Sequence, residues 1–375
     1  MTNSFSPPDI SVFLPSLRGG GAERVMLTIA NELSSRGFRI DLVLTKAEGP
    51  YLTDVDSSIT LIDLRAKRVF LSLPSMIRYI RQKKPATILS ALPHVNIVVI
   101  LARLFSRINT KVVLTEHNTL TKSVENSKTI RGRLLPFFMR ITYPFAENII
   151  AVSTGVANDL ASAVKLSRDR ITVIYNPVVT KALTQQLENQ IHHRWFAADE
   201  YPVVLGVGRL TPAKNFSHLI RAFSIVRKRR QAKLIILGEG SERSALEALV
   251  SELDLSNEVE LPGFIANPYA YMKRSRVFVL SSLWEGLPTV LIEALCSGVR
   301  VVSTDCQSGP REILEDGKWG ALVPMNDVDA LAIAILEAID QYSSSPKLDA
   351  WTKYTLDAVL AEYEKLLFGF LPNSR

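Results

Sequence analysis

The sequence predicts an α/β fold made of two doubly wound, Rossmann-like domains. Short apolar runs alternate with longer helix-like stretches, which is the pattern of parallel sheets covered by helices. A polar stretch at 180–200 interrupts the alternation, which then resumes. With 375 residues and 47% hydrophobic content, the chain is long enough for two cores. We therefore expect two domains that face each other across a central cleft.

The expected strands form two sets. The first set is 10–14, 40–45, 87–91, 112–115, 148–152 and 172–174. The second set is 203–207, 234–237, 259–261, 277–280, 301–303 and 321–323. Ligands of doubly wound sheets bind beyond the carboxyl ends of the strands, so the segments that follow these strands are the candidates for a site.

Composition narrows the function classes. The two cysteines, Cys296 and Cys306, are too few for a disulfide framework and are expected to be free, buried thiols of a cytosolic protein. No apolar run approaches the roughly 18 residues that cross a bilayer, and the first ten residues lack the pattern of a signal peptide. No Cys/His cluster indicates a metal site. Nucleic-acid binding is disfavoured, because the basic runs lack interleaved aromatics and a known module.

The segment at 122–140 mixes basic residues with apolar ones. The basic residues include Lys128, Arg131, Arg133 and Arg140, and the apolar residues include Leu134, Leu135, Phe137, Phe138 and Met139. Such a segment could lie on an anionic membrane surface. A helix that packs its apolar side on its own domain is the alternative, and Pro136 interrupts the pattern. Both interpretations stay open.

Two glutamates eight positions apart surround a helix start in SSLWEGLPTVLIEALCSGVRVVSTDCQS. Glu285 lies in a Gly/Pro loop and Glu293 lies in the apolar run that follows. Pro288 suits the first helical position, so the N–H groups of Thr289 and Val290 are expected to face the space before the helix, where phosphate binds readily. Two solvated charges on a helix face are the alternative. The apolar neighbours of Glu293 favour a partly buried carboxylate that needs hydrogen-bond donors. A phosphate-binding helix start with a carboxylate on either side suits a nucleotide sugar.

A second motif, GVGRLTPAKNF, follows an expected strand and carries Arg209 and Lys214. A guanidinium and an ammonium on one loop can neutralise the charge that grows on a departing phosphate. Two surface residues that aid solubility are the alternative. The strand, the Gly-Arg turn and the following helix favour a functional role.

Two further motifs follow strands in the N-terminal half. PSLRGGGAER has glycines 19–21, which let the backbone approach a ligand closely. It is neither G-x-G-x-x-G nor a Walker loop, so nicotinamide binding and ATP hydrolysis are disfavoured. LTEHNT places His117 at a strand end, where an imidazole can hydrogen-bond a hydroxyl near neutral pH. An ordinary surface histidine is the alternative.

Together the four motifs resemble the retaining glycosyltransferases of family 4, which have the GT-B fold and an E-x7-E motif. The resemblance implies that Glu285 contacts the transferred sugar and Glu293 the donor ribose, with His117 close to the reacting sugar. It implies a donor site made of Gly20, Gly21, Arg209, Lys214, Gly286, Leu287, Pro288, Thr289, Val290 and Glu293. Glu23 and Asn96, the latter in a loop SALPHVN, are the implied acceptor contacts. Arg300 departs from the family pattern, in which proline is common.

The resemblance also divides the chain. It implies an N-terminal acceptor-binding domain at 1–178, a C-terminal nucleotide-sugar-binding domain at 179–349 and a C-terminal helix at 350–375 that returns to the N-terminal domain.

The predicted activity is the transfer of a hexose or N-acetylhexosamine, with retention of configuration, from a nucleoside diphosphate sugar to a hydroxyl acceptor. A UDP-sugar is the expected donor, and an envelope polysaccharide or lipid-linked glycan is the expected product. No tightly bound cofactor and no metal are expected, and the enzyme would be cytoplasmic, or peripheral on the inner face of the membrane. Two alternatives stay open. One is a non-catalytic sugar-nucleotide-binding or membrane-associated scaffold. The other is a GT-B-like epimerase or a phosphorylase, of which the latter would need a lysine that carries pyridoxal phosphate.

Overall fold

The computed structural model describes residues 7–126, 129–197, 201–340 and 348–369. The described residues form two compact units. The first unit contains the residues up to Pro177 together with those from Val359 onward, and the second contains those between Val178 and Ala358.

The first unit is built on a parallel sheet of seven strands among the residues that are described. The strands are β1 (Ile10–Leu14), β2 (Ile40–Leu44), β3 (Thr60–Asp63), β4 (Thr87–Ala91), β5 (Lys111–Glu116), β6 (Asn148–Ala151) and β7 (Ile171–Val173). Their order across the sheet is β3-β2-β1-β4-β5-β6-β7. The direction of winding reverses between β1 and β4, which is where such sheets bind ligands.

Helices cover this sheet because their apolar residues recur every three or four positions. The helices are α1 (Gly21–Ser35), α2 (Leu73–Lys83), α3 (Pro93–Ser106), α4 (Leu120–Glu125), α5 (Ile130–Thr142) and α6 (Thr154–Val164). In α1, for example, Met26, Ile29 and Leu33 recur at this spacing and are fully buried. Their burial against strands such as β1, all of whose residues are buried, forms the core of the unit.

The second unit repeats the plan with six parallel strands in its described part. These are β8 (Val203–Val207), β9 (Lys233–Leu237), β10 (Val259–Gly263), β11 (Val277–Leu280), β12 (Arg300–Thr304) and β13 (Ala321–Val323). The order is β10-β9-β8-β11-β12-β13, so the winding reverses between β8 and β11.

The helices of the second unit are α7 (Lys181–Gln186), α8 (Arg194–Ala197), α9 (Phe216–Arg229), α10 (Arg243–Glu252), α11 (Tyr269–Arg274), α12 (Thr289–Ser297), α13 (Pro310–Ile313) and α14 (Val328–Asp340). The buried stripe of α9, Leu219, Phe223 and Val226, packs into the core beside Leu331 and Ile335 of α14.

The last helix, α15 (Leu356–Phe368), begins at Leu356. The expected helical start at 350 is therefore wrong by about two turns, because the chain first makes two 3₁₀ turns. From Val359 the helix belongs to the first unit. There the ammonium of Lys111 donates to the carbonyl of Leu366 at 2.7 Å, and Arg36 pairs with the buried Glu364 at 3.1 Å. Residues 370–375 lie outside the described part.

Three local expectations are corrected. Strand β3 was not expected, because Thr60–Asp63 is short and mostly exposed and lies at the sheet edge, where one face need not be apolar. The expected loop SALPHVN is a strand end and a helix start joined by Leu92 alone, which has φ +79°. Arg300, expected before a strand, is the first residue of β12.

The segment at 122–140 contains the end of α4 and most of α5, with residues 127–128 outside the described part. Helix α5 continues through Pro136. Among the described residues, no helix is both long enough and apolar enough to cross a bilayer.

Candidate active site

The two loops at the switch point of the second sheet bring together a lysine and a glutamate that the sequence had singled out. Lys214 ends a 3₁₀ turn after β8, and Glu285 lies in the loop after β11. Because β8 and β11 pair directly, these loops start side by side. The Lys214 Nζ lies 2.5 Å from Oε1 of Glu285, and the two side chains are 19% and 12% exposed. A largely buried ion pair therefore lies where this sheet would hold a ligand.

Close backbone contacts hold the loop that carries Lys214. Gly238 has φ +140°, and a Cβ there would lie 1.9 Å from the carbonyl oxygen of Gly208. A Cβ on Gly240 would lie 2.2 Å from the carbonyl oxygen of Leu210. Only glycine permits this approach. Sequence reasoning missed both glycines, although the G-E-G pattern directly after a strand is a signal for such a contact.

Arg209, on the same loop, is exposed, and its guanidinium makes no hydrogen bond or ion pair with any residue that the structure describes. The side chain of Lys214, by contrast, runs over Gly208, with its Cε 3.3 Å from where a Cβ would lie. One cation is thus paired and the other is available, a few residues apart on one loop.

Helix α12 starts one position later than expected. Pro288 is the residue that precedes its first turn, and Thr289 is the first helical residue. The chain enters the helix with an extended Pro288 (ψ 94°), so the helix supplies no acceptor for the N–H groups of Thr289 and Val290. The loop before the helix is held by Ser308, whose hydroxyl donates to the carbonyl of Gly286 at 2.8 Å. Leu287 is buried beside it.

Glu293 lies in the second turn of α12 and is partly buried. Burial, together with the negative charge of Glu293, raises the pKa of the Cys296 thiol to about 11. Burial and the negative charge of Glu285 raise the pKa of Cys306 to about 12. Both cysteines are free thiols, Cys306 buried and Cys296 partly so. They stay protonated at neutral pH and are poor nucleophiles.

In the first unit, the glycine motif forms a loop that is fastened by Glu23. The backbone N–H groups of Gly19 and Gly20 donate to Oε2 of Glu23 at 3.0 and 3.1 Å, and the hydroxyl of Ser16 donates to Oε1 at 3.3 Å. Glu23 is 7% exposed, and both oxygens of its carboxylate accept hydrogen bonds from the loop. Gly20 precedes α1 and Gly21 is its first residue. An acceptor contact by Glu23 stays a prediction.

His117 directly follows β5 and is 9% exposed. Its Nε2 lies 3.1 Å from the hydroxyl of Thr115, which in turn donates to the carbonyl of Ser90 at 3.0 Å. Burial lowers the pKa of His117 to about 4, and the Asn176 side chain opposes this decrease. The imidazole is therefore neutral at physiological pH, which suits hydrogen bonding rather than charge pairing.

Behind His117 lies a buried polar network. Nδ2 of Asn96 donates to Oε1 of Glu116 at 2.8 Å, and the hydroxyl of Tyr143 donates to the same oxygen. Ser90 donates to Oδ1 of Asn96 at 2.7 Å. Burial raises the pKa of Glu116 to about 7, although both donors oppose the increase.

Asn96 has no exposed surface and has its amide committed to this network, so it touches a ligand only if the network rearranges. Its predicted acceptor contact stays a prediction. Glu116 was not among the expected residues, yet a carboxylate that ends an apolar strand beside His117 is a signal that could have found it. Within the described ranges, no three His, Cys, Asp or Glu side chains gather in a way that could hold a metal ion.

Comparison with known proteins matches both units. The family described as Glycosyltransferase Family 4 matches residues 19–182, and the family described as Glycosyl transferases group 1 matches residues 188–356.

Two curated relatives span most of the chain. An N-acetylgalactosamine-N,N'-diacetylbacillosaminyl-diphospho-undecaprenol 4-alpha-N-acetylgalactosaminyltransferase of Campylobacter jejuni is 32% identical over 86% of this chain and 87% of its own length. The amylovoran biosynthesis glycosyltransferase AmsD of Erwinia amylovora is 24% identical over 93% of this chain and 96% of its own.

Solved structures show the same fold. HepE of Anabaena in complex with UDP has a TM-score of 0.78 at 20% identity, and it covers 96% of this chain and 100% of its own. A glycosyltransferase of Rickettsia africae has a TM-score of 0.79 at 18% identity, over 99% of this chain and 100% of its own.

Proposed function

The chain belongs to the glycosyltransferases of the family 4 type, with a two-domain GT-B fold, and from this premise we propose that it is a retaining enzyme that uses a UDP-sugar. It moves a hexose or N-acetylhexosamine to a hydroxyl of a lipid-linked glycan or polysaccharide.

The observation that carries the donor part of the proposal is the Lys214–Glu285 pair at the switch point of the second sheet. A diphosphate that enters there offers Lys214 two phosphate groups in place of one carboxylate. The free guanidinium of Arg209 and the N–H groups at the start of α12 add positive potential to the same ligand. These groups would stabilise the charge that develops on the departing UDP, which is where preorganised donors act most strongly.

The remaining roles follow the chemistry of the donor. Glu293 accepts hydrogen bonds from the ribose hydroxyls. Glu285, freed from Lys214 by the diphosphate, accepts hydrogen bonds from the hydroxyls of the sugar. No covalent nucleophile is assigned. The acceptor hydroxyl attacks the anomeric carbon from the face from which UDP departs, the bond between that carbon and the diphosphate breaks, and the hydroxyl proton passes to the departing phosphate.

The choice of UDP and of an amino sugar rests on relatives. HepE has been crystallised with UDP and with UDP-glucose. Two Campylobacter jejuni relatives, at 32% and 26% identity, are named as N-acetylgalactosaminyltransferases that act on undecaprenol-diphosphate glycans. UDP-N-acetylgalactosamine is therefore the first donor to test, and a polyprenyl-diphosphate glycan is the first acceptor.

An anionic membrane surface would bring such an acceptor to the enzyme, and α5 offers a face for it. At about 100° per residue, the exposed apolar residues of α5 lie within an arc of about 100°. They are Ile130, Leu134, Phe137, Phe138 and Ile141, each at least 47% exposed. Met139, on the opposite side, is fully buried against the unit. Exposed Arg133 and Arg140 flank the apolar arc on one side. This arrangement fits a helix that lies in the headgroup region.

The proposal is tested by incubating the protein with UDP-N-acetylgalactosamine and an undecaprenyl-diphosphate-linked glycan, followed by NMR of the product. An α-linked product would support a retaining transferase. Free sugar formed at the same rate with and without acceptor would support an epimerase instead. Binding of the sugar nucleotide without turnover would support a scaffold.

A further inference from the structure

Two consecutive serines directly follow β11, and each donates a hydrogen bond to one member of the Lys214–Glu285 pair. The hydroxyl of Ser281 donates to the backbone carbonyl of Lys214 at 2.8 Å. The hydroxyl of Ser282 donates to Oε1 of Glu285 at 2.6 Å. The two serines are 1% and 0% exposed, so water does not compete for these bonds.

The two oxygens of Glu285 differ in what they bind. Oε1 accepts from both Nζ of Lys214 and the hydroxyl of Ser282. No described residue donates to Oε2, and the side chain retains 12% exposure. A carboxylate held through one oxygen in this way presents the other to a ligand.

Ser282 itself is held from the neighbouring strand. The hydroxyl of Thr304, the last residue of β12, donates to the carbonyl of Ser282 at 2.6 Å. The backbone of Leu283 also donates to the carbonyl of Ala213 at 2.8 Å, which ties the loop after β11 to the turn that carries Lys214. The serine hydroxyls thus act from a fixed backbone.

We propose that Ser281 and Ser282 are positioning residues that divide the recognition of the donor: Ser281 holds Lys214 for the diphosphate and Ser282 orients Glu285 for the sugar. The inference rests on the proposed function. When a diphosphate draws the Lys214 ammonium away, Oε1 of Glu285 loses one of its two donors. Ser282 is then the described side chain that still fixes the carboxylate, with Oε2 directed to the sugar hydroxyls.

The experiment compares wild type with Ser281→Ala, Ser282→Ala, Glu285→Gln and the double variant Ser282→Ala/Glu285→Gln. Calorimetry measures the Kd for UDP, which lacks the sugar. Release of UDP from UDP-N-acetylgalactosamine, UDP-N-acetylglucosamine, UDP-galactose and UDP-glucose, without acceptor, measures the turnover that depends on the sugar. Melting curves confirm that each variant is folded.

Ser282→Ala should lower the kcat of UDP release about tenfold, because a hydrogen bond to a charged group is lost, and should leave the Kd for UDP within about twofold. Ser281→Ala should instead raise the Kd for UDP several-fold. In the Glu285→Gln background, Ser282→Ala should have little further effect, because residues that act through one another are not additive.

Equal effects of the two serine variants on the Kd for UDP and on the kcat of UDP release would overturn the inference. So would an undiminished effect of Ser282→Ala in the Glu285→Gln background. If the wild type binds and turns over sugar nucleotide and Ser282→Ala has the same Kd and kcat, the inference is contradicted but the proposed function is not. A wild type that does not bind UDP contradicts the proposed function, and the inference with it.

Discussion

Lys214 and Glu285 lie 71 positions apart in the sequence, yet their side chains form an ion pair of 2.5 Å at the point where the second sheet reverses its winding. Without a ligand, the pair neutralises two charges that would be costly to bury singly. Under the proposed function, a nucleoside diphosphate separates the pair, so that Lys214 binds the diphosphate and Glu285 binds the sugar.

The ribose contact of Glu293 can be isolated from the rest of the donor site. In wild type, UDP should bind more tightly than 2′-deoxy-UDP, because the deoxy compound lacks the 2′-hydroxyl that would donate to Glu293. Glu293→Ala should lose most of this preference and weaken UDP binding about tenfold. Calorimetry with both nucleotides measures it, and exposed Glu362 (Glu362→Ala) serves as the control. An undiminished preference for UDP in Glu293→Ala would contradict the assignment.

Glu116 makes the stability of the protein depend on pH. Its pKa is about 7 in the folded chain, above the ordinary value of 4.5. Between these values the folded state binds more protons than the unfolded state, so this group's contribution to stability falls as pH rises from 4.5 to 7. Glu116→Gln cannot ionise at this position. From pH 5 to pH 8, its free energy of unfolding should therefore rise by about 2 kcal/mol relative to that of the wild type.

Urea unfolding at both pH values measures this difference, with Glu362→Gln as a control for the loss of an exposed carboxylate. If Glu116→Gln instead lost stability relative to wild type as pH rose, the folded state would favour the ionised carboxylate, and the raised pKa would be contradicted.

His117 should remain neutral well below the ordinary pKa of histidine. Its pKa is about 4 because the ring is buried, so its contribution to stability is present above pH 6.5 and is lost as pH falls towards 4. A ¹⁵N-histidine NMR titration can follow it, since the chain has five histidines and His117→Gln identifies the signal. A midpoint near 6.5 for that signal would mean that the ring is solvated.

The apolar face of α5 should bind anionic vesicles. Wild type should sediment with vesicles of phosphatidylglycerol and phosphatidylcholine, and less with phosphatidylcholine alone. Phe137→Ser combined with Phe138→Ser should reduce this binding at least tenfold, because two exposed aromatic side chains no longer insert. Phe264→Ser, at an exposed phenylalanine of the second unit, is the matched control. Should the double variant sediment like wild type but lose a dimer in gel filtration, the face would be a contact between copies.

Much of the fold could be predicted from the sequence, because buried parallel strands are continuous apolar runs bounded by turns. The twelve expected strands all exist, with ends that differ by at most two residues. The strand that was missed, Thr60–Asp63, is exposed and carries no such run. The start of the last helix was missed because 3₁₀ turns and an α-helix share a similar apolar spacing.

The sequence indicates candidate residues for the site but not the contacts between them. Lys214 and Glu285 were both expected from their motifs, but only the structure shows that they pair with each other. Asn96 is buried and bonded to Ser90, Glu116 and Tyr143, and its predicted acceptor contact stays a prediction. Long-range hydrogen bonds of this kind leave no periodic pattern in the sequence, so they cannot be read from it.

The measurement that tests the central claim most directly is thermal unfolding in the presence of UDP. At a concentration of UDP one hundred times its Kd, the wild type should gain about 2.7 kcal/mol of stability. Lys214→Ala should lose most of this gain, because its diphosphate contact is missing, and Lys318→Ala, which removes an exposed lysine paired with Glu315, should keep it. No stabilisation of the wild type by UDP, GDP or ADP, or equal stabilisation of Lys214→Ala, would contradict a nucleotide site at the Lys214–Glu285 pair.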